Sequence, residues 1–177
     1  MHILIGLAAL AGAAYFWYWR ARNAADMAGH LAGAAQDVRL AARRFGFKRK
    51  SNIHPVDGID DSRVAAAGVL AALLAQDGLA TEERRARLLV QIQSVFEIDK
   101  TQAEELVVLG GWLVGQCGTP GAALQRLARR LYQLAGEAAR PDTERMIRAV
   151  FEDRDGALPP AVEEGLGDLR ARFGVRS

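Results

Sequence analysis

The acidic residues around two Asp-Gly steps are the groups in this chain whose types and spacing could do chemistry. Asp77-Gly78 is followed by Glu82 and Glu83, and Asp153 and Asp155-Gly156 are followed by Glu163 and Glu164. Carboxylates are hard oxygen donors, so such a set is suited to a divalent cation. An EF-hand frame places Asp-Gly at loop positions five and six. That frame puts Leu73 and Arg84 at positions one and twelve of the first loop, and Phe151 and Val162 in the second. None of the four is a ligand of that kind, so an EF-hand is excluded, and the open alternatives are a cation site of another kind and a plain structural turn. The turn has its own physical account: glycine ends a helix in the left-handed conformation, and Leu79 or Leu158 tucks the turn onto a core.

Other chemistry finds little to stand on. Cys117 is the single cysteine and has neither a histidine nor a second cysteine near it in sequence. His2, His30 and His54 are scattered without metal-ligand spacing. Ser51, Ser62, Ser94 and Ser177 lie in no nucleophile motif, and there is no glycine-rich phosphate loop. The expectation is a protein that is not an enzyme and carries no cofactor beyond a possible divalent cation.

Positioning falls to helices. From Ser62 onward large apolar residues recur three and four apart, as in "RLLVQIQSVF" and "ERMIRAVF", and no alternating run is long enough for a strand. The pattern predicts helices over 62–76, 82–96, 100–116, 120–138, 142–153 and 160–173. Their starts have capping residues: Thr81 before Glu82 and Glu83, Asp99 with Gln102 at capping-box spacing, and Thr119 before Pro120. The two Asp-Gly stretches share an order of helix, Asp-Gly, leucine, acids, helix and a closing Phe. They read as a degenerate repeat of two pseudo-symmetric helical hairpins.

The opposite end of the chain carries a different signal. Ile3 to Trp19 is an uncharged run of 17 residues, reaching about 26 Å as a helix against a hydrocarbon core of about 30 Å. It closes on Tyr15, Phe16, Trp17, Tyr18 and Trp19, then Arg20 and Arg22. Aromatic side chains at the edge of an apolar run followed by arginines are the pattern of an uncleaved membrane anchor, and a signal peptide would want charge before the run and small residues after it. Ala8 with Gly12 gives a small-residue pair four apart, the spacing that lets helices approach closely in lipid.

Charge sets the expected topology. Residues 20–50 hold eight Lys/Arg against two Asp, and residues 51–177 hold 15 basic and 19 acidic residues, so the overall +2 conceals a basic collar and an acidic body. By the positive-inside rule the body lies in the cytoplasm and the first residues outside, in a single pass of the inner membrane. The collar has few aromatics for base stacking and adjoins the anchor. Anionic lipid is therefore its expected partner, and nucleic acid is not. The expected organisation is an anchor over 1–22, a basic juxtamembrane helix and linker over 23–57, and a helical domain over 58–177.

The all-helical unit with "LLAQDGLATEE" on its first hairpin and a second Asp-Gly hairpin near its end resembles the TerB-like domain associated with tellurite resistance. Behind one N-terminal transmembrane helix it is similar to the DjlA N-terminal type of that module. The resemblance implies a compact all-α bundle of about seven helices, with an acidic surface proposed to bind metal and no established reaction. Carried over residue by residue, its acidic positions are Asp77, Glu82, Glu83 and Asp155. Pro159, Pro160 and Ala161 stand where the first hairpin has Thr81, Glu82 and Glu83, so the second hairpin departs from the pattern. The His-Pro-Asp loop of a J domain is not matched either, because His54-Pro55 is followed by Val56.

Two functional expectations follow. One is a membrane-anchored interaction or scaffold module, an accessory subunit or assembly factor docking on a membrane protein complex or a cytoplasmic protein. The other is a divalent-metal or metalloid-stress sensor using the acidic hairpins.

Overall fold

The computed structural model describes residues 38–47, 52–78 and 81–174. These residues are all-α, with no strand among them. A helical segment, α1, covers 38–44, and a short 3-10 helix covers Pro55–Gly58. The long helices are α2 (Ser62–Asp77), α3 (Glu82–Phe96), α4 (Lys100–Gly115), α5 (Pro120–Ala135), α6 (Ala139–Phe151) and α7 (Pro160–Arg172), with a 3-10 turn at Gly136–Ala138 between α5 and α6.

The architecture follows from α2. Ten of its 16 residues are buried, from Val64 to Leu74, and the small side chains of Ala65, Ala66, Ala67, Gly68 and Ala72 let other helices approach from several sides. A helix apolar around most of its circumference belongs at the centre of a bundle. Accordingly α2 packs chiefly on α5 and α4, and also on α7, while α3 packs chiefly on α6 and secondarily on α4. The backbones of α2 and α4 approach closely at Gly110 of α4, where a Cβ would lie 2.9 Å from the Ala67 carbonyl oxygen of α2. Leu70, Leu73, Leu88, Ile92, Leu106, Leu113, Leu127, Phe151 and Phe173 fill the interior.

The helix starts use the expected caps. Thr81 Oγ1 accepts the Arg84 N–H at 3.2 Å, and Thr119 Oγ1 accepts the Ala122 N–H at the same distance. Asp99 and Gln102 form a reciprocal capping box. Gly78 ends α2 at φ +72°, the left-handed conformation that the Asp-Gly step predicts.

Two boundaries differ from the sequence reading. The helix expected over 120–138 stops at Ala135 because Gly136 takes φ +61°, and the chain then passes through the 3-10 turn directly into α6. Helix α6 therefore begins at Ala139 and not at 142, with Pro141 inside its first turn, where a proline costs no hydrogen bond.

The stretch read as linker also contributes to the core: Val56 is buried there, beside the equally buried Ile59 at the start of the expected domain, whose carbonyl accepts from Arg130 of α5. Ala41 and Phe45 are buried as well. Arg63 stands over the Phe45 ring, Phe47 meets Trp112 edge to face, and Arg44 pairs with Glu105 at 2.9 Å. The packed body thus includes residues before 58. The anchor positions Ala8, Gly12, Trp17, Trp19, Arg20 and Arg22 lie outside the described residues, and among the described residues no helix is long and apolar enough to cross a membrane.

Candidate functional site

Asp77 occupies the last turn of α2 with its side chain only 6% exposed. It forms an ion pair with Arg84, which α3 presents from its first turn. The Arg84 guanidinium in turn lies over the Phe151 ring of α6, 5.8 Å from its centroid. One arginine therefore joins the first hairpin to α6 through a charge contact on one side and an aromatic face on the other. A cation at Asp77 would have to displace Arg84, so the residues here fit an internal ion pair and do not fit a metal.

Glu83 is exposed and pairs with Arg87 at 2.6 Å, and Arg87 also donates to the Glu152 carbonyl at 3.2 Å. Glu82 is exposed beside it. In the second hairpin the organising residue is Asp153: its Oδ1 accepts the N–H groups of Asp155 and Ala157, each at 2.9 Å. That use of a carboxylate closes an Asx-type turn. Asp155 itself is exposed. Among the described residues no three His, Cys, Asp or Glu side chains gather into a group that could hold a metal ion.

The two hairpins also differ in what holds them. The first is locked by a largely buried ion pair, the second by hydrogen bonds from a side chain to its own turn. Leu158 packs on the core, as the turn reading expects.

A different polar feature lies where the residues after the basic collar meet the α4–α5 corner. An open groove of about 560 Å³ is lined by His54, Asp57, Cys117, Arg126, Arg129 and Gln133, among others. His54 Nδ1 accepts the Val56 N–H at 3.3 Å and its Nε2 faces the Gln116 carbonyl at 3.1 Å, so the ring ties the 3-10 segment to the end of α4. Arg126 grips both Asp57 oxygens, at 3.2 and 2.5 Å. This hydrogen-bonded pairing holds the Asp57 carboxyl below its ordinary range, against the opposing effect of partial burial. Cys117 is half-buried, and that burial pushes its thiol up. Sequence reading missed this groove because its lining comes from three segments whose meeting depends on the packing of α5 against the 3-10 helix.

Comparison of the chain with protein-family models, with curated proteins and with solved structures finds no match in any of the three.

Proposed function

We propose that this protein is a membrane-anchored helical interaction module of TerB-like type, which docks on or recruits a protein partner at the inner membrane. The observation that carries the reading is the uncharged run Ile3 to Trp19, ending in five aromatic residues and followed by Arg20 and Arg22. A tether of this kind raises the local concentration of the attached body near membrane partners without adding contacts. The helical body suits such a role, since its helices are closed on one another by arginine ion pairs that fix its surface. The metal-sensing alternative has against it that the most buried of its four acids, Asp77, faces Arg84.

The anchor is tested by alkaline carbonate extraction of membranes from cells making the full chain. It predicts that the protein stays in the pellet, and release into the supernatant removes the anchor from the reading. The docking role is tested by a mild-detergent pull-down, alongside a variant whose residues 1–22 are replaced by an unrelated transmembrane helix. The expected result is stoichiometric recovery of one membrane complex with the native chain and its loss in the exchange. If nothing copurifies with the native chain, the module is not an accessory subunit.

A further inference from the structure

We propose that the groove at the α4–α5 corner is an anion subsite that takes a phosphate group, with Arg129 as its free cation. Helix α5 carries Arg126, Arg129 and Arg130 and no acidic residue. Two of the three are matched: Arg126 by Asp57, and Arg130 by the Ile59 carbonyl and Asp60. Among the described residues no acid lies within ion-pair distance of Arg129, which is exposed on the groove wall.

The rest of the lining is biased toward donors. Gln133 has its carbonyl engaged by Arg130 at 3.2 Å, so the group it can offer a ligand is its amide NH₂. Asp57, the one carboxylate of the lining, has both oxygens engaged by Arg126. Both ring nitrogens of His54 are engaged within the protein. What remains unfilled is a guanidinium fork with amide donors beside it, which suits an anion with several acceptor oxygens, as a phosphate has.

The groove lies close in sequence to the basic collar. His54 follows Lys50 by four residues, at most about 14 Å of extended chain. A collar held at anionic headgroups would therefore keep the groove within reach of the same headgroup layer. The phosphate has two sources, a lipid headgroup or a free phosphate compound. The lipid source rests on the anchor reading, and the free source does not.

Cys117 supplies the readout, because it is the single cysteine of the chain and lines the groove. The full chain in neutral-detergent micelles is labelled with a maleimide, and the rate is followed against inorganic phosphate, with chloride at matched ionic strength as control. A parallel series dopes the micelles with phosphatidylglycerol. Only the empty groove reacts, so a probe about tenfold above its dissociation constant slows labelling about tenfold. In Arg129→Gln, checked for unchanged helical content by circular dichroism, the slowing is expected to disappear.

Slowing by inorganic phosphate identifies a soluble ligand class, and slowing by phosphatidylglycerol alone identifies a headgroup. No slowing by either probe overturns the proposal, as does slowing that persists in Arg129→Gln. Slowing by a polyglutamate peptide but by neither phosphate source also overturns it and assigns the groove to an acidic protein partner. Because the inorganic-phosphate series needs no membrane, its result stands apart from that of the carbonate extraction.

Discussion

Arg84 decides what the opening acidic motif means. In sequence, "QDGLATEERRARLL" offers three carboxylates, and counting them alone suggests a cation site. The same stretch carries Arg84 and Arg87, and the structure spends them on Asp77 and Glu83. The partner of Glu83 was legible, since the two residues are four apart on one helix. The partner of Asp77 was not, because it depends on how the start of α3 is set against the end of α2. Removing one member of a largely buried pair strands the other, so Asp77→Asn should lower stability by about 1–3 kcal/mol, measured by urea unfolding. Arg84→Met keeps a side chain able to pack on Phe151 while removing the charge. The double variant should lose less than the two single losses added together, and strict additivity in that cycle would show that the pair does not couple. A cation reading makes the opposite demand. It requires a divalent cation to raise the unfolding midpoint of the native chain and Asp77→Asn to cancel the rise.

Helix identities were readable because burial of one face imposes a spacing of three and four, and helix ends were readable where a side chain caps them. Asp99 with Gln102 and Thr119 with Pro120 both sit where that logic puts them. The end of α5 was not readable, since nothing before Gly136 distinguishes a helix that continues from one that tightens into a 3-10 turn. Neither was the separate duty of two adjacent glycines in α4. At Gly110 a Cβ meets backbone of α2, the Ala67 oxygen at 2.9 Å and the Gly68 nitrogen at 3.1 Å, and backbone inside a central helix cannot step aside. At Gly111 a Cβ meets nothing within 4 Å. Gly110→Ala should therefore destabilise the bundle by about 1–3 kcal/mol through forced separation of α2 and α4. Gly111→Ala should stabilise it by about 0.5–1 kcal/mol, because alanine loses less backbone entropy in a helix. Thermal unfolding of the two variants is the measurement, and similar shifts of the same sign would mean that the α2–α4 contact is not close.

At the scale of the whole molecule, ion pairs between residues far apart in sequence tie the packed helices together, and they set the response to acid. Arg126 of α5 holds Asp57 from the 3-10 segment, and Arg170 of α7 holds Glu144 of α6 at 2.7 Å with Arg140 at 3.5 Å. The pairs Arg126–Asp57 and Arg170–Glu144 are not legible in sequence, because each joins elements whose mutual placement follows from the burial of α2, whereas Arg140–Glu144 is a pair four apart within α6. Hydrogen bonds from Arg170 hold Glu144 below its ordinary value of 4.5, and those from Arg126 hold Asp57 below 3.8. A carboxylate depressed in the folded state binds a proton more readily when unfolded, so its contribution is complete above the unfolded value and is lost as pH falls through the folded one. Both groups are partly open to solvent, which keeps each contribution modest. The urea midpoint should thus stay level on acidification until about pH 4.5 and then fall toward lower pH. In Glu144→Gln with Asp57→Asn the midpoint should start lower at neutral pH and fall less steeply below about pH 4.5, since two of the protons that unfolding takes up are no longer there to bind. An equally steep fall in that variant would place the acid sensitivity in other carboxylates and reduce these two pairs to surface contacts.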